Sequence, residues 1–153
     1  MTNRSTDDAT ALRVLVVDDN AALRECIRLS LEREGLTVVG EAADGTQALF
    51  QAAATRPDVI LMDLRMPRMN GIEATRAIRQ AHPDTQVVLW TGEDDAQLVR
   101  AVHQAGAHAG VPKGIRIAEL VATLRDVCGA DQHAGALRCS SIRRTAPSFT
   151  VSV

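Results

Sequence analysis

The stretch Val59-Ile60-Leu61-Met62-Asp63 decides the fold, because four apolar residues run directly into one aspartate. It shows no alternation of polar and apolar residues, which is typical of a strand buried on both faces. Met66-Pro67 and Asn70-Gly71 then indicate turns. Asp63 is therefore predicted at the carboxyl end of a central strand, the edge at which open parallel sheets bind their ligands. Taken alone, an aspartate in this place more often caps a turn.

The composition of the chain is that of one soluble globular domain. Its 153 residues are 46% hydrophobic and 24% charged, which are ordinary proportions. No apolar run is long enough to span a membrane, and the polar residues 1–11 are neither a secretory signal nor a transit peptide, so we expect a cytoplasmic protein. A net charge of −2 and an aromatic content of 2% give no general attraction to nucleic acid and no platform for stacking bases.

The cysteines predict neither a disulfide framework nor a metal site. Cys26, Cys128 and Cys139 are odd in number and widely spaced along the chain. Cys26 and Cys128 fall on the apolar faces of predicted helices, and we expect both to be small core residues.

A strand followed by a helix occurs five times along the sequence. Apolar runs predict the strands, and apolar residues at helical spacing predict the helices between them. The strands are predicted at residues 12–17, 36–42, 58–62, 85–90 and 108–112, and the helices at residues 21–34, 46–55, 72–81, 94–105 and 115–128. This alternation predicts an α/β fold with a doubly wound parallel sheet and helices on both of its faces. The second strand alternates more and is expected nearer an edge of the sheet.

The sequence divides into one domain and two flanking segments. Residues 12–129 form the predicted domain, and residues 1–11 a disordered N-terminal segment. Residues 130–153 contain several serines and no helical period, and we interpret them as a flexible tail. The last five of them alternate weakly and could add a strand to a sheet, but a disordered end is the favoured interpretation.

Four of the predicted strands are followed by residues able to carry chemistry. Asp18 and Asp19 follow the first strand, Asp63 the third, Thr91 the fourth and Lys113 the fifth. Because the carboxyl ends of parallel strands meet at one edge of the sheet, we expect these side chains to converge there. Each alone has an ordinary explanation, such as capping the next helix or carrying a solvated surface charge. Their joint occurrence favours a common site.

The convergence of three carboxylates predicts a magnesium site. Carboxylates in one crevice repel one another, and a hard divalent cation relieves that repulsion. Mg²⁺ prefers oxygen ligands, few from protein and several from water. Asp18, Asp19 and Asp63 are therefore the predicted metal ligands, with the backbone carbonyl of Arg65 completing the shell.

The same residues suit phosphoryl transfer, in which a metal neutralises charge on the transferred oxygens. Asp63 is the predicted nucleophile, since a carboxylate can form an acyl phosphate. Lys113 would supply positive charge to the phosphoryl oxygens. Thr91 would offer a hydroxyl donor to the same group.

Taken in order and spacing, the motifs resemble the receiver domain of bacterial two-component response regulators. The resemblance covers roughly residues 12–129. It is carried by Val14-Leu15-Val16-Val17-Asp18-Asp19, by Pro57-Asp58-Val59-Ile60-Leu61-Met62-Asp63-Leu64-Arg65-Met66-Pro67, by Asn70-Gly71, by Thr91, and by Gly106-Ala107 with Lys113.

The resemblance implies a fold, a reaction and a set of roles. The fold would be flavodoxin-like, with five parallel strands in the order 2-1-3-4-5 and five helices. A histidine kinase or a phosphotransfer protein would phosphorylate Asp63, and Asp18, Asp19 and Asp63 would hold Mg²⁺. Thr91 and Lys113 would bind the phosphoryl group and report its arrival.

Three positions depart from the family pattern. Gly110 stands three residues before Lys113, where the family commonly has an aromatic residue or a histidine that swings inward on activation. Gly92 replaces the usual alanine after Thr91, and Gly114 replaces the usual proline after Lys113. The chemistry is kept, but these changes put in question how a signal reaches the face formed by the fourth helix, the fifth strand and the fifth helix.

Four further residues border the predicted site. Trp90 and His108 lie near the missing aromatic residue, but neither is a clear substitute for it. Arg65 and Glu93, each two residues beyond a site residue, could gate the attacking water and so set the lifetime of the phosphoryl group. Both could equally be solvated surface charges.

The output expected from the sequence is a contact with another protein. Residues 130–153 are too short and too polar for a DNA-binding domain with its own core, so binding to DNA is not expected. We expect a stand-alone receiver that is no dedicated enzyme beyond its own phosphorylation and a slow autodephosphorylation. It would act through an unknown downstream partner or pass the phosphate onward. Helices 4 and 5 form the predicted surface for that partner or for a homodimer, by resemblance only.

Two alternative functions stay open. A phosphatase of the haloacid dehalogenase type also uses an aspartate, Mg²⁺ and a lysine, but it expects Asp-x-Asp-x-Thr where residues 18–22 read Asp-Asp-Asn-Ala-Ala. A pseudo-receiver keeps the fold as a binding module and is not phosphorylated. The complete acidic set argues against a pseudo-receiver, whereas Gly110 and Gly114 argue weakly for it.

Overall fold

The structure is a computed structural model that describes residues 11–92, 94–132 and 151–152. Five strands alternate with five helices. The strands are β1 (Arg13–Val17), β2 (Thr37–Ala42), β3 (Val59–Asp63), β4 (Gln86–Thr91) and β5 (Ala109–Pro112). The helices are α1 (Ala21–Arg33), α2 (Gly45–Thr55), α3 (Gly71–Ala81), α4 (Asp95–Ala105) and α5 (Ile117–Gln132). Each lies where the sequence predicts it, with small differences at its ends.

The five strands form one parallel sheet in the order β2-β1-β3-β4-β5, as predicted. β3 lies in the middle, and all five of its residues are buried. β2 is at one edge of the sheet and is only partly buried along most of its length, which agrees with its more alternating sequence. The parallel arrangement brings the ends of β1, β3, β4 and β5 to the same edge.

Two layers of helices cover the sheet. Ile60 and Met62 of β3 face the core under α2, α3 and α4, whereas Val59 and Leu61 face the core under α1 and α5. This division follows from the alternation of side chains along a strand. Burying one such aliphatic side chain contributes about 1.5–3 kcal/mol, so β3 is anchored from both sides.

The N-cap residues of α1 to α4 follow the ends of β1 to β4 in the sequence. The side chains of Asn20, Asp44, Asn70 and Asp94 each accept a hydrogen bond from the backbone amide three residues on. A cap of this kind stabilises a helix by about 1 kcal/mol. The capped helices begin at the carboxyl edge of the sheet, so the positive ends of their dipoles face the region where the carboxylates gather.

Cys26 corrects one prediction about the core. Its side chain is exposed, whereas Cys128 is buried as predicted. Leu31 is the fully buried residue of α1, and Leu23 and Ile27 only pack against the core from its margin. The apolar stripe of α1 is therefore narrower than the sequence indicates, and Cys26 lies just outside it.

Two described segments lie within residues 130–153, for which the sequence predicts a flexible tail. α5 runs to Gln132, beyond the boundary predicted at residue 129, because a glycine inside a helix costs only about 1 kcal/mol. Val151–Ser152 forms a short strand, β6, that pairs antiparallel with Ala109 and Gly110 of β5. Residues 1–10, 133–150 and 153 lie outside the described residues, so their predicted disorder or flexibility stays a prediction.

None of the helices in the described part of the chain is long and apolar enough to cross a membrane.

Candidate functional site

Three carboxylates converge at the carboxyl edge of the sheet. Asp18 and Asp19 follow β1, and Asp63 ends β3, which is the neighbour of β1. One carboxylate oxygen from each lies within 4.8 Å of the other two. Asp18 is fully buried and Asp63 is 3% exposed, whereas Asp19 is exposed to solvent. The structure thus brings together the three aspartates that the sequence assigned to one site.

Lys113 reaches into this cluster from the end of β5. Its Nζ lies 2.8 Å from Oδ2 of Asp18 and 3.2 Å from Oδ1 of Asp63. The backbone amide of Lys113 donates to the carbonyl oxygen of Thr91, 2.9 Å away, so the segments after β4 and β5 are tied together. One ammonium therefore bridges two buried carboxylates.

The crowding of these charges changes the pKa of Asp63. Burial, together with the negative charge of Asp18, raises the pKa of Asp63 to about 6, although Lys113 acts in the opposite direction. Burial also opposes the charge of Lys113, but the carboxylates of Asp18 and Asp63 outweigh it and raise the pKa of that ammonium. With three carboxylates facing one ammonium, the site has excess negative charge.

The donor set fits a magnesium ion. Oδ1 of Asp18 accepts the backbone amide of Asn20 at 2.8 Å. Oδ2 of Asp18 is buried, and its contact in the described part of the chain is the ion pair with Nζ of Lys113 at 2.8 Å. A buried carboxylate oxygen with spare capacity, next to two more carboxylates, offers the all-oxygen environment that Mg²⁺ and other hard cations prefer.

Asn20 resolves one ambiguity in the sequence. Either Asp19 or Asn20 could have capped the first helix, and the structure gives that task to Asn20, whose Oδ1 accepts the amide of Leu23 at 3.1 Å. The carboxylate of Asp19 therefore belongs to the acidic cluster.

Thr91 and Arg65 lie where the sequence places them. Thr91 ends β4, is 2% exposed, and follows the residue that pairs in register with Asp63. Arg65 is exposed in the loop after β3, two residues beyond Asp63. Their assigned roles, as hydroxyl donor and carbonyl ligand, stay predictions. Glu93 lies outside the described residues.

The loop between β3 and α3 is held by contacts that the sequence did not predict. Nε and Nη2 of Arg68 lie 3.0 and 2.7 Å from Oδ2 of Asp44, and Arg68 has a left-handed backbone with a φ of 68°. Gly71 permits a close approach, because a Cβ there would lie 2.3 Å from the carbonyl oxygen of Asp63. The turn signals Met66-Pro67 and Asn70-Gly71 indicated a loop here but not these contacts.

Arg24 supports the first aspartate from α1. Its Nη1 donates to the carbonyl oxygen of Asp18 at 2.6 Å, and its Nε lies 3.0 Å from Oε1 of Glu41 on β2. Sequence reasoning missed this residue, because an arginine on an amphipathic helix normally indicates only a solvated face.

Comparison with known proteins agrees with the geometry. The family model described as "Response regulator receiver domain" matches residues 14–125. The response regulator GacA of Pseudomonas viridiflava is 40% identical over 123 residues, which are 80% of this chain and 58% of that protein. The chain thus spans less than two thirds of the length of this relative.

Solved structures show the same fold. A two-component response regulator of the LuxR family from Aurantimonas sp. SI85-9A1 has a TM-score of 0.73 and 36% identity, over 78% of this chain and 86% of that one. The signal receiver domain of the putative response regulator NarL from Mycobacterium tuberculosis has a TM-score of 0.73 and 35% identity, over 78% and 97% of the two chains. The acidic cluster and its lysine lie within the residues that the family model matches, so this chain belongs to the family of response regulator receiver domains.

Proposed function

We propose that this receiver accepts a phosphoryl group on Asp63. An oxygen of the Asp63 carboxylate would attack the phosphorus of a phosphohistidine on a histidine kinase or a phosphotransfer protein. The P–N bond would break, the imidazole would leave with the electron pair, and an acyl phosphate would form. The observation that carries the proposal is the cluster of three carboxylates within 4.8 Å of one another, two of them paired with Lys113.

Each residue of the site has a distinct task in this reaction. Asp18, Asp19 and Asp63, with the carbonyl of Arg65, would hold Mg²⁺, which supplies neutralising charge for the transferred oxygens. Lys113 would move its ammonium to the phosphoryl oxygens, for which it is already desolvated and positioned. Thr91, buried at the end of β4, would donate its hydroxyl group to the same oxygens.

The raised pKa of Asp63 is compatible with a nucleophile. At a pKa of about 6 the carboxylate is mostly ionised at neutral pH. The same crowding that raises the pKa makes the ionised form high in free energy. The acyl phosphate that forms adds further negative charge, which Mg²⁺ and the ammonium of Lys113 would neutralise.

The action of the phosphorylated form on other proteins is a separate proposal. We propose that the phosphorylated form acts on a protein partner, with α4, β5 and α5 as the contact face, or passes the phosphoryl group onward, and that turnover of other substrates is not its task. Binding to DNA stays unexpected for the residues described. The cytoplasmic location predicted from the sequence also stays a prediction.

Intact mass spectrometry after incubation with acetyl phosphate tests the proposal. We expect a mass gain of one phosphoryl group that requires Mg²⁺ and is lost in Asp63→Asn. Asp58→Asn is the matched control, because it changes an aspartate at the other end of the same strand, where the carboxylate is exposed. It should be phosphorylated like the wild type.

Negative outcomes have separate meanings. If acetyl phosphate fails but a panel of histidine kinases transfers phosphate, the chain is a receiver that requires its donor protein. If both fail, the chain is a pseudo-receiver and the proposal is wrong. Steady release of phosphate from added phosphate esters would instead favour the phosphatase.

A further inference from the structure

Trp90, the one tryptophan of the chain, forms a wall of the site. Nζ of Lys113 lies 5.3 Å from the centroid of its ring, within the range of a cation–π interaction. Trp90 pairs in register with Asp63 across β3 and β4, so both side chains project to the same face of the sheet. The ammonium is therefore held between two carboxylates and an aromatic ring.

The ring also belongs to the core under α5. Trp90 is 2% exposed and lies in one buried cluster with Leu120 and Leu124 of α5 and with Val111 of β5. Its Nε1 is buried and makes no hydrogen bond in the described part of the chain. A buried indole N–H normally finds an acceptor, so this unpaired donor marks a side chain whose position is set by something other than its own polar contacts.

On the opposite face of the sheet, β5 has no room for an aromatic side chain. A Cβ on Gly110 would lie 2.7 Å from Cγ2 of Val102 and 2.8 Å from Cδ1 of Leu98. Both residues belong to α4, which packs directly on the glycine. An aromatic residue at position 110 would require α4 to move. An aromatic side chain that contacts the site must therefore belong to another position in the sequence.

We propose that Trp90 is the positioning residue for Lys113, and that it transmits the displacement of that lysine to the core under α5. The second half of this inference rests on the proposed phosphorylation of Asp63. Before phosphorylation, the ring and the two carboxylates hold the ammonium. A phosphoryl group brings additional negative charge and strong acceptors. Lys113 then moves toward it, the ring loses its cation, and the side chains packed against the ring adjust.

The contact itself can be tested without phosphate or metal. We expect the fluorescence emission of Trp90 to differ between the wild type and Lys113→Gln in EDTA, because the substitution removes the cation from the ring. Arg116→Gln is the control, since Arg116 is an exposed cation three residues further along whose described ion pair is with Glu119. Equal emission from the wild type and Lys113→Gln would overturn the first half of the proposal.

The coupling is tested by following emission and intact mass in the same samples. We expect the emission of Trp90 to change in proportion to the phosphorylated fraction formed with acetyl phosphate and Mg²⁺, and Asp63→Asn to show only the effect of Mg²⁺. Full phosphorylation with unchanged emission would overturn the coupling. Failure to phosphorylate the wild type with acetyl phosphate and with kinases would overturn the proposed function and the coupling with it, while the contact experiment still decides the role of Trp90 toward Lys113.

Substitution of the ring separates positioning from packing. We expect Trp90→Leu to slow phosphorylation by acetyl phosphate about threefold to tenfold, and Trp90→Phe, which keeps an aromatic face, to stay within about twofold of the wild type. Val88→Ala removes core volume from the same face of β4, two residues from Trp90, and should leave the rate unchanged. Equal rates for Trp90→Leu and Val88→Ala, or a loss in Trp90→Phe as large as in Trp90→Leu, would contradict a role of the ring face.

Hydrogen exchange identifies which helix responds to phosphorylation. We expect phosphorylation of the wild type to change the exchange of amides in α5 more than in α4, and this difference to be kept in Trp90→Phe, which retains an aromatic face. A response confined to α4 would show that the signal leaves by the other face and would overturn the coupling.

Discussion

Asp44 and Asp63 are buried to nearly the same degree, 2% and 3% exposed, yet the pKa of one is lowered and that of the other is raised to about 6. Asp44 accepts the backbone amide of Gln47 at 2.8 Å and two N–H groups of Arg68. Asp63 instead faces Asp18 and shares Lys113 with it. Burial is the largest cause of the raised pKa of Asp63, whereas at Asp44 the hydrogen bonds from Gln47 and Arg68 outweigh the effect of burial.

The comparison separates a carboxylate whose charge is stabilised from one whose charge is opposed by its surroundings. The backbone amide of Gln47 and the guanidinium of Arg68 stabilise the charge of Asp44, so that carboxylate fixes the start of α2 and has no tendency to change state. The charge of Asp63 is poorly compensated, so binding of a proton or of a cation lowers the free energy of the site. The same residue type thus serves two purposes, depending on which strands and helices surround it.

Removal of Lys113 should produce the largest change in the free energy of unfolding. Lys113→Gln leaves two buried carboxylates without their ammonium, and we expect the free energy of unfolding to fall by about 3 kcal/mol at pH 8 in EDTA. Urea unfolding measures the change. Arg116→Gln, at an exposed ion pair, should stay within about 0.5 kcal/mol of the wild type. If both variants behave alike, the buried charges do not interact as the structure indicates.

Asp63→Asn should make the metal-free protein more stable, by about 2 kcal/mol at pH 8. The folded pKa of Asp63, about 6, lies above the ordinary value of 3.8, so the ionised form destabilises the fold above pH 6. That cost disappears as the pH falls from about 6 to below 3.8. The advantage of Asp63→Asn in urea unfolding should therefore vanish by pH 4 or so. A variant less stable than the wild type at pH 8 would contradict the electrostatic account.

Addition of Mg²⁺ should reverse the cost that Asp63 imposes. At about ten times its dissociation constant the ion should stabilise the wild type by about 1.4 kcal/mol, because it binds only the folded site. Thermal unfolding with increasing Mg²⁺ measures this gain. Asp18→Asn, which removes the most buried ligand, should gain much less at the same concentrations. Equal gains in both proteins would place the ion elsewhere.

Asp44→Asn should have the smallest effect and the opposite pH dependence. Asparagine keeps the helix cap but loses the charge that faces Arg68, and because that arginine is largely exposed we expect a loss of about 1 kcal/mol at pH 7. The lowered pKa of Asp44 means that its stabilisation is present above pH 3.8 and is lost as the pH falls through the folded value. The stability difference should shrink in acid, as measured by urea unfolding at several pH values. A difference that grows in acid would show that the carboxylate is not the stabilising form.

Most of the fold and of the candidate site could be predicted, for local reasons. The unbroken apolar run of residues 59–62 requires burial on both faces, and only a central parallel strand provides that. Asp63 follows that run, and the strand–helix alternation brings Asp18, Asp19 and Lys113 to the same edge. These inferences use only periodicity and chain direction, which the sequence contains.

Contacts between side chains that are distant in the sequence could not be predicted. The pairing of Asp44 with Arg68, and of Trp90 with Lys113, depends on how neighbouring loops approach one another. Cys26 was assigned to the core because helical spacing gives the centre of an apolar face but not its width. The pairing of Val151–Ser152 with β5 joins segments about forty residues apart, for which a weak alternation is no guide.

The sequence by itself determined the order of strands and helices, the location of Asp63 at a strand end, and the family to which the chain is similar. Only the tertiary structure decided the charge balance of the site. The pKa of Asp63 depends on the distances to Asp18 and Lys113 and on the loss of water around all three. Hydrophobic patterns extend over neighbouring residues and can be recognised in the sequence. Electrostatic energies depend on distances and burial, which are defined only by the tertiary structure.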